Sequence, residues 1–171
     1  MSDSEYTAYC ERIPAALEQI PKGAFLIGEG SDNPITIGWA TFGFIWGRPV
    51  IEVLVRKSRY THQFMESGAT FTISVPKQGT FVSELALCGT KSGRDIDKIS
   101  AAKLTTKPAR VGGASAIAGC ESYFECRVLY RQDMALERMD DATRERCYGA
   151  NQVGTDGDPH TMYFGEVIAA Y

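Results

Sequence analysis

From residue 24 onward the chain is a succession of β-patterned runs separated by turn clusters, and this constrains its fold more than any other feature. Residues 24–28, 35–42 and 50–55 are rich in β-branched and aromatic side chains, with the clusters Ser31-Asp32-Asn33-Pro34 and Gly47-Arg48-Pro49 between them. Further strands are predicted at residues 70–75, 104–106, 114–118, 121–131 and 161–169. Helical spacing is inserted among them. Tyr60, Gln63, Phe64 and Ser67 form one stripe, with Ser58 as its cap and Gly68 as its stop. Phe81, Val82, Leu85 and Ala86 form a second, ending near Cys88-Gly89, and residues 95–102 a third. Residues 6–19 predict one or two short helical turns around Pro14, before Pro21. This order lacks the regular strand–helix alternation of a parallel doubly wound sheet. It predicts a mainly β fold with inserted helices, arranged as a mainly antiparallel barrel. Residues 136–152, dense in Asp, Glu and Arg, read as an exposed helix or excursion with a solvated face.

The 171 residues, 44% hydrophobic and 23% charged, suit one globular domain with a real core, covering 1–171 with a helical lead-in at 1–20. No repeat or linker marks a boundary, and the length leaves no room for a separate nicotinamide lobe. The longest uncharged stretch, residues 33–47, is broken by Pro34 and glycines, and a membrane helix needs about 18 or more apolar residues. Residues 1–5 are acidic and unlike a signal peptide, so the expected location is cytoplasmic. A net charge of −3 argues against nucleic acid as a partner. Cysteines at 10, 88, 120, 126 and 147 contain no Cys-x-x-Cys pair, and His62 and His160 have no metal-ligand spacing, so no metal is expected.

Three clusters could carry chemistry. In Arg56-Lys57-Ser58-Arg59-Tyr60-Thr61 a strand ends and a helix begins, with three cations and two small hydroxyls. Unpaired N–H groups and guanidinium forks suit a phosphate there; a capped surface helix with solvated cations is the alternative. Cys88-Gly89-Thr90-Lys91-Ser92-Gly93-Arg94 has glycines that let backbone N–H groups turn towards an anion, although it lacks P-loop spacing and could be a plain connection between helices. Asn33-Pro34-Ile35-Thr36-Ile37-Gly38-Trp39-Ala40-Thr41 puts small residues beside an aromatic, a surface for a flat ring or a bend in a core strand. Ser31-Asp32-Asn33, Lys91-Ser92-Gly93 and Ser100-Ala101-Ala102-Lys103 match the short motifs of serine β-lactamases in the wrong order, so acyl transfer is set aside.

These three clusters, with the run from Asp95 to Lys98, Gly119-Cys120-Glu121-Ser122-Tyr123-Phe124-Glu125-Cys126 and His160-Thr161-Met162-Tyr163-Phe164-Gly165-Glu166-Val167, occur in an order that resembles the flavin reductase-like, FMN-binding split-barrel family, its flavoredoxin branch in particular. The likeness covers roughly residues 21–171. It implies a Greek-key split β-barrel, a homodimer, and noncovalent FMN near the subunit interface. It also implies that Arg56, Ser58, Arg59 and Thr61 bind phosphate and ribityl, and that Asn33, Thr36, Gly38, Trp39 and Ala40 lie beside the isoalloxazine. Cys88, Gly89, Thr90, Ser92, Gly93 and Lys98 would form the second cofactor loop, with His160 near the flavin face as the candidate catalytic residue. Lys57 stands where many relatives have proline, and residues 136–152 match no family pattern.

The function so implied is hydride transfer from NADH or NADPH to bound FMN, then electron delivery to free flavin or another acceptor. The rival is a flavoredoxin-type carrier that passes electrons between redox proteins without a nicotinamide site of its own.

Overall fold

The structure is a computed structural model that describes residues 3–149 and 158–171. Helix α1 (Asp3–Gln19) runs on through Pro14, where the sequence predicts short turns. An internal proline forfeits a backbone hydrogen bond and crowds the preceding turn. The helix persists because Tyr9, Ile13 and Ala16 pack against the barrel, and the Tyr9 hydroxyl lies 3.2 and 3.3 Å from the carbonyls of Gly43 and Val50.

Strands β1 (Ala24–Gly28), β2 (Ile35–Ile37), β3 (Ala40–Ile45) and β4 (Arg48–Arg56) follow, then α2 (His62–Ser67), β5 (Thr70–Val75), α3 (Val82–Thr90) and α4 (Lys98–Ala101). The short β6 (Thr106–Lys107) and β7 (Ala116–Ile117) pair with each other. The long β8 (Ser122–Asp133), α5 (Asp141–Tyr148) and β9 (His160–Ala170) complete the order. Seven strands form one antiparallel sheet in the order β2-β1-β5-β8-β9-β4-β3. Its edges are β2 and β3, which only Gly38 and Trp39 separate in the chain. Three peptide steps reach about 11 Å at most, so the sheet must curl until its edges approach each other. The result is a split barrel with its seam at Gly38-Trp39.

This explains why the predicted strand 35–42 is divided. Its β propensity is continuous, but the chain pairs with β1 up to Ile37 and with β4 from Ala40, as strands do when they cross a barrel corner. Leu26, Ile51, Val53, Phe71, Ile73, Phe124 and Tyr163 are buried inside the barrel. Phe25 and Ile27, on the other face of β1, are buried under Leu85, Cys88, Leu104 and Ile117, which is why β1 shows no exposed side.

Helix α4 is shorter than the predicted 95–102 because Asp97 caps it there, its carboxylate accepting from the N–H groups of Ile99 and Ser100. Ser58 does not cap α2; the N-cap position is Thr61, and Gly68 stops the helix as expected. The β3–β4 hairpin turns on Trp46 and Gly47, both at positive φ (55° and 72°), the type I′ form that matches strand twist. Of the excursion at 136–152, a 3-10 turn (Leu136–Arg138) and α5 are formed, while residues 150–152 lie outside the described residues. Among the described residues no helix is long and apolar enough to cross a membrane.

Candidate cofactor site at the barrel seam

A cavity of about 260 Å³ opens at the seam. Thr36, Gly38 and Trp39 reach it from the β2–β3 crossing, Arg56 from the end of β4, Arg59 from the turn before α2, Gly89 from the end of α3, and His160 from the start of β9. Four separate stretches of sequence therefore converge. Arg56 and His160 are register partners across the β4–β9 ladder, so strand pairing alone sets a cation beside an imidazole.

The polar groups hold one another in place. The Arg59 guanidinium donates to the Gly89 carbonyl, joining the first cationic turn to the second loop. Burial lowers its pKa, opposed by Asp158. Arg56 spreads its fork over the carbonyls of Asp158 (2.8 Å) and Cys147 (3.0 Å) and lies 4.9 Å above the Tyr148 ring. Ser58 donates its N–H (3.0 Å) and its hydroxyl (2.5 Å) to the Asp158 carboxylate. The turn that the sequence marks as an anion seat thus receives an anion of its own chain.

His160 is buried, with its Nδ1 2.6 Å from the Tyr148 hydroxyl and its ring 5.1 Å from that of Trp39. Burial, reinforced by the Arg56 cation, pushes its pKa down to about 4, so the imidazole is neutral near neutral pH. The Tyr148 proton has two possible acceptors, Nδ1 and the Met134 thioether at 3.2 Å. Thioethers accept weakly, which favours donation to Nδ1, the arrangement in which the imidazole's own proton sits on Nε2.

The remaining sequence-predicted residues divide. Asn33, Thr61 and Gly93 come together beside the seam: Asn33 donates to the Thr61 hydroxyl at 2.8 Å, and a Cβ at Gly93 would fall 1.9 Å from Asn33 Oδ1. Asn33 and Gly93 border a second groove that Lys98 also lines. The Lys98 ammonium, however, is buried and donates to the carbonyls of Pro34 and Cys88 at 3.0 Å each. Burial lowers it to about 8. Lys98 ties the approach of β2 to α3. The Cys88 thiol is buried in the core under α3 and pushed up to about 11, and Cys88 lines neither the seam cavity nor the second groove. Ala40 pairs with Val53 and packs on the core, Thr90 donates to the Ala86 carbonyl, and the Ser92 hydroxyl accepts from the Arg94 N–H. None of these three lines the seam cavity.

Sequence reasoning missed Leu54 and Val55, which line the cavity, and Tyr148 and Asp158, which position His160, Arg56 and Ser58. The alternation along β4 could have singled out Leu54. No local signal marks Tyr148 or Asp158, whose contacts depend on the return of β9.

The Arg59 guanidinium, an anion-accepting turn at Ser58 and a side-chain-free backbone at Gly38 beside an indole are groups that would suit a ring-bearing phosphate ester such as a flavin mononucleotide. Fold and site together define a split-barrel domain with a cavity lined by Arg56, Arg59, Trp39 and His160 at its seam. The chain belongs to the flavin reductase like domain family, whose model matches residues 17–171.

Solved structures agree on the fold. A flavoredoxin from Methanosarcina acetivorans is 23% identical with a TM-score of 0.65, over 87% of this chain and 67% of that one. An FMN-binding protein from Thermus thermophilus with bound 1-cyclohex-2-enone is 20% identical with a TM-score of 0.62, over 87% and 68%. An NADH:FAD oxidoreductase from Streptomyces globisporus is 19% identical with a TM-score of 0.65, over 87% and 73%. No curated protein matches the sequence.

Proposed function

We propose that the chain binds FMN at the seam and works as an NAD(P)H-dependent flavin oxidoreductase. The observation that carries this reading is the convergence of Gly38-Trp39, Arg56, Arg59, Gly89 and His160 on one cavity. Bound FMN would supply the two-electron chemistry. Arg59 and the turn at Ser58 would hold its phosphate, with Asp158 giving way to it, and the Gly38-Trp39 backbone would carry the ring. Neutral His160, fixed by Tyr148, offers an uncharged N–H donor at the cavity wall and no competing base. Trp39 and Leu54 present apolar surface to one side of the cavity.

Two structural relatives are flavoredoxins, one from Methanosarcina acetivorans and one from Desulfovibrio vulgaris, and they favour the second reading, an electron carrier. Anaerobic mixing of the FMN-loaded protein with NADH and with NADPH separates the two. Bleaching of the bound flavin by either nucleotide is expected. Failure of both leaves the carrier.

A second copy of the chain is the proposed partner, with free flavin or a redox protein receiving the electrons. Phe44 (59% exposed), Trp46 (56%) and Tyr130 (44%) form an apolar face around the β3–β4 hairpin, which supports association.

A further inference from the structure

Beside the seam lies a chamber of about 560 Å³, walled by Trp39, Leu54, Met134, Met139, Cys147 and Tyr148. Met134, Met139, Thr143, Arg146, Cys147 and Tyr148 supply its outer side, all but Met134 within the charged stretch 136–152. Trp39, Leu54 and Arg56 line both this chamber and the seam cavity, so the two spaces adjoin.

We propose that this chamber binds an uncharged, planar, apolar carbonyl ring of the quinone class, as the electron acceptor of the seam. The assignment of acceptor rests on the flavin reading above; the binding does not. The lining is aliphatic, aromatic and sulfur-bearing, and methionines adapt their shape and polarisability to flat rings. Its polar groups are already engaged. The Arg56 fork is taken by the carbonyls of Cys147 and Asp158 and its face by the Tyr148 ring, while the Tyr148 hydroxyl sits on His160. Among the described residues no Asp or Glu lines the wall, and the other polar lining residues are Thr143 and the exposed Arg146. A charge buried against Trp39, Leu54 and the methionines would find no free partner there, since the Arg56 fork is taken and Arg146 is exposed to solvent. Reduction of a quinone to its hydroquinone takes two electrons and two protons, the electrons from a reduced flavin at the seam and the protons from that donor and from solvent.

Trp39 reports on the chamber from within, and the chain has 2 tryptophans, so flavin-free protein carrying Trp46→Phe isolates its fluorescence. Titration with 2-methyl-1,4-naphthoquinone is expected to quench it saturably. The ring-sulfonated analogue, and the neutral quinone with Met139→Lys, should each bind at least about tenfold more weakly. Met139→Leu should restore binding, and FMN affinity should be the same in all three proteins. Unsaturable quenching, equal binding of the sulfonate, indifference to Met139→Lys, or stoichiometric displacement of the quinone by NADH would each overturn the assignment. Saturable quinone binding by a protein that takes up no FMN would instead overturn the flavin reading and leave the chamber standing as a binding site.

Discussion

Arg59 is the residue on which the phosphate assignment turns, because it enters the cavity from the turn before α2 and bridges to Gly89. Its replacement by Ala should weaken FMN binding by about 2 kcal/mol, the worth of one charge-assisted contact. An unchanged dissociation constant by fluorescence titration would remove Arg59 from the seat. His160 gives a second test. A hydrogen bond from Tyr148 to Nδ1 favours the neutral ring, so Tyr148→Phe should raise the His160 pKa from about 4 towards the ordinary 6.5. With only 2 histidines in the chain, NMR titration resolves it directly. The sign for stability follows. As pH falls from 6.5 through about 4, the unfolded chain takes up the proton first, so the buried neutral His160 makes the fold less stable across that window. Tyr148→Phe should narrow the window.

At the scale of elements, much of the fold was legible. β1 and β5 fall where the residue pattern puts them, because strands with buried apolar runs and flanking turn residues announce themselves locally. The division of 35–42 and the passage of α1 through Pro14 were not legible, since each is decided by packing partners distant in sequence. The candidate site divides the same way: Gly38, Arg59 and His160 stood out in compact motifs, whereas Tyr148 and Asp158 act only across the closed fold. Glu125 on β8 is another long-range device. Fully buried, it accepts N–H bonds from Arg110 (2.6 Å), Val111 (2.8 Å) and Gly112 (2.9 Å) and the Tyr171 hydroxyl (2.8 Å). Burial alone would raise its carboxyl, but these bonds prevail and hold it below the usual range. Glu125→Gln should cost about 2–4 kcal/mol in urea unfolding near neutral pH. Glu125 stabilises the fold above its unfolded value of about 4.3, and this is lost as pH falls through the lower folded value. The variant should therefore lose less stability than the parent as the pH falls below about 4.3; parallel losses would show that Glu125 is not the group responsible.

At the scale of the whole molecule, the curl that brings the two edges of the sheet together also creates the seam cavity, so the barrel and the cavity are one construction. The apolar face at the hairpin is the surface proposed to meet a second copy. Trp46 sits at positive φ with its ring against Tyr130 and Phe164. Asn accepts that backbone conformation, so Trp46→Asn should keep the hairpin while removing the ring. Light scattering should then show a dimer for the parent and a monomer for the variant; identical masses would place the interface elsewhere. The most direct test of the account is equilibrium titration of FMN into the flavin-free protein, followed by flavin absorbance and Trp39 fluorescence. The account predicts saturation at one FMN per chain with Trp39 quenched. A protein that takes up no FMN, or takes it up with Trp39 unaffected, would contradict a flavin seat at the barrel seam.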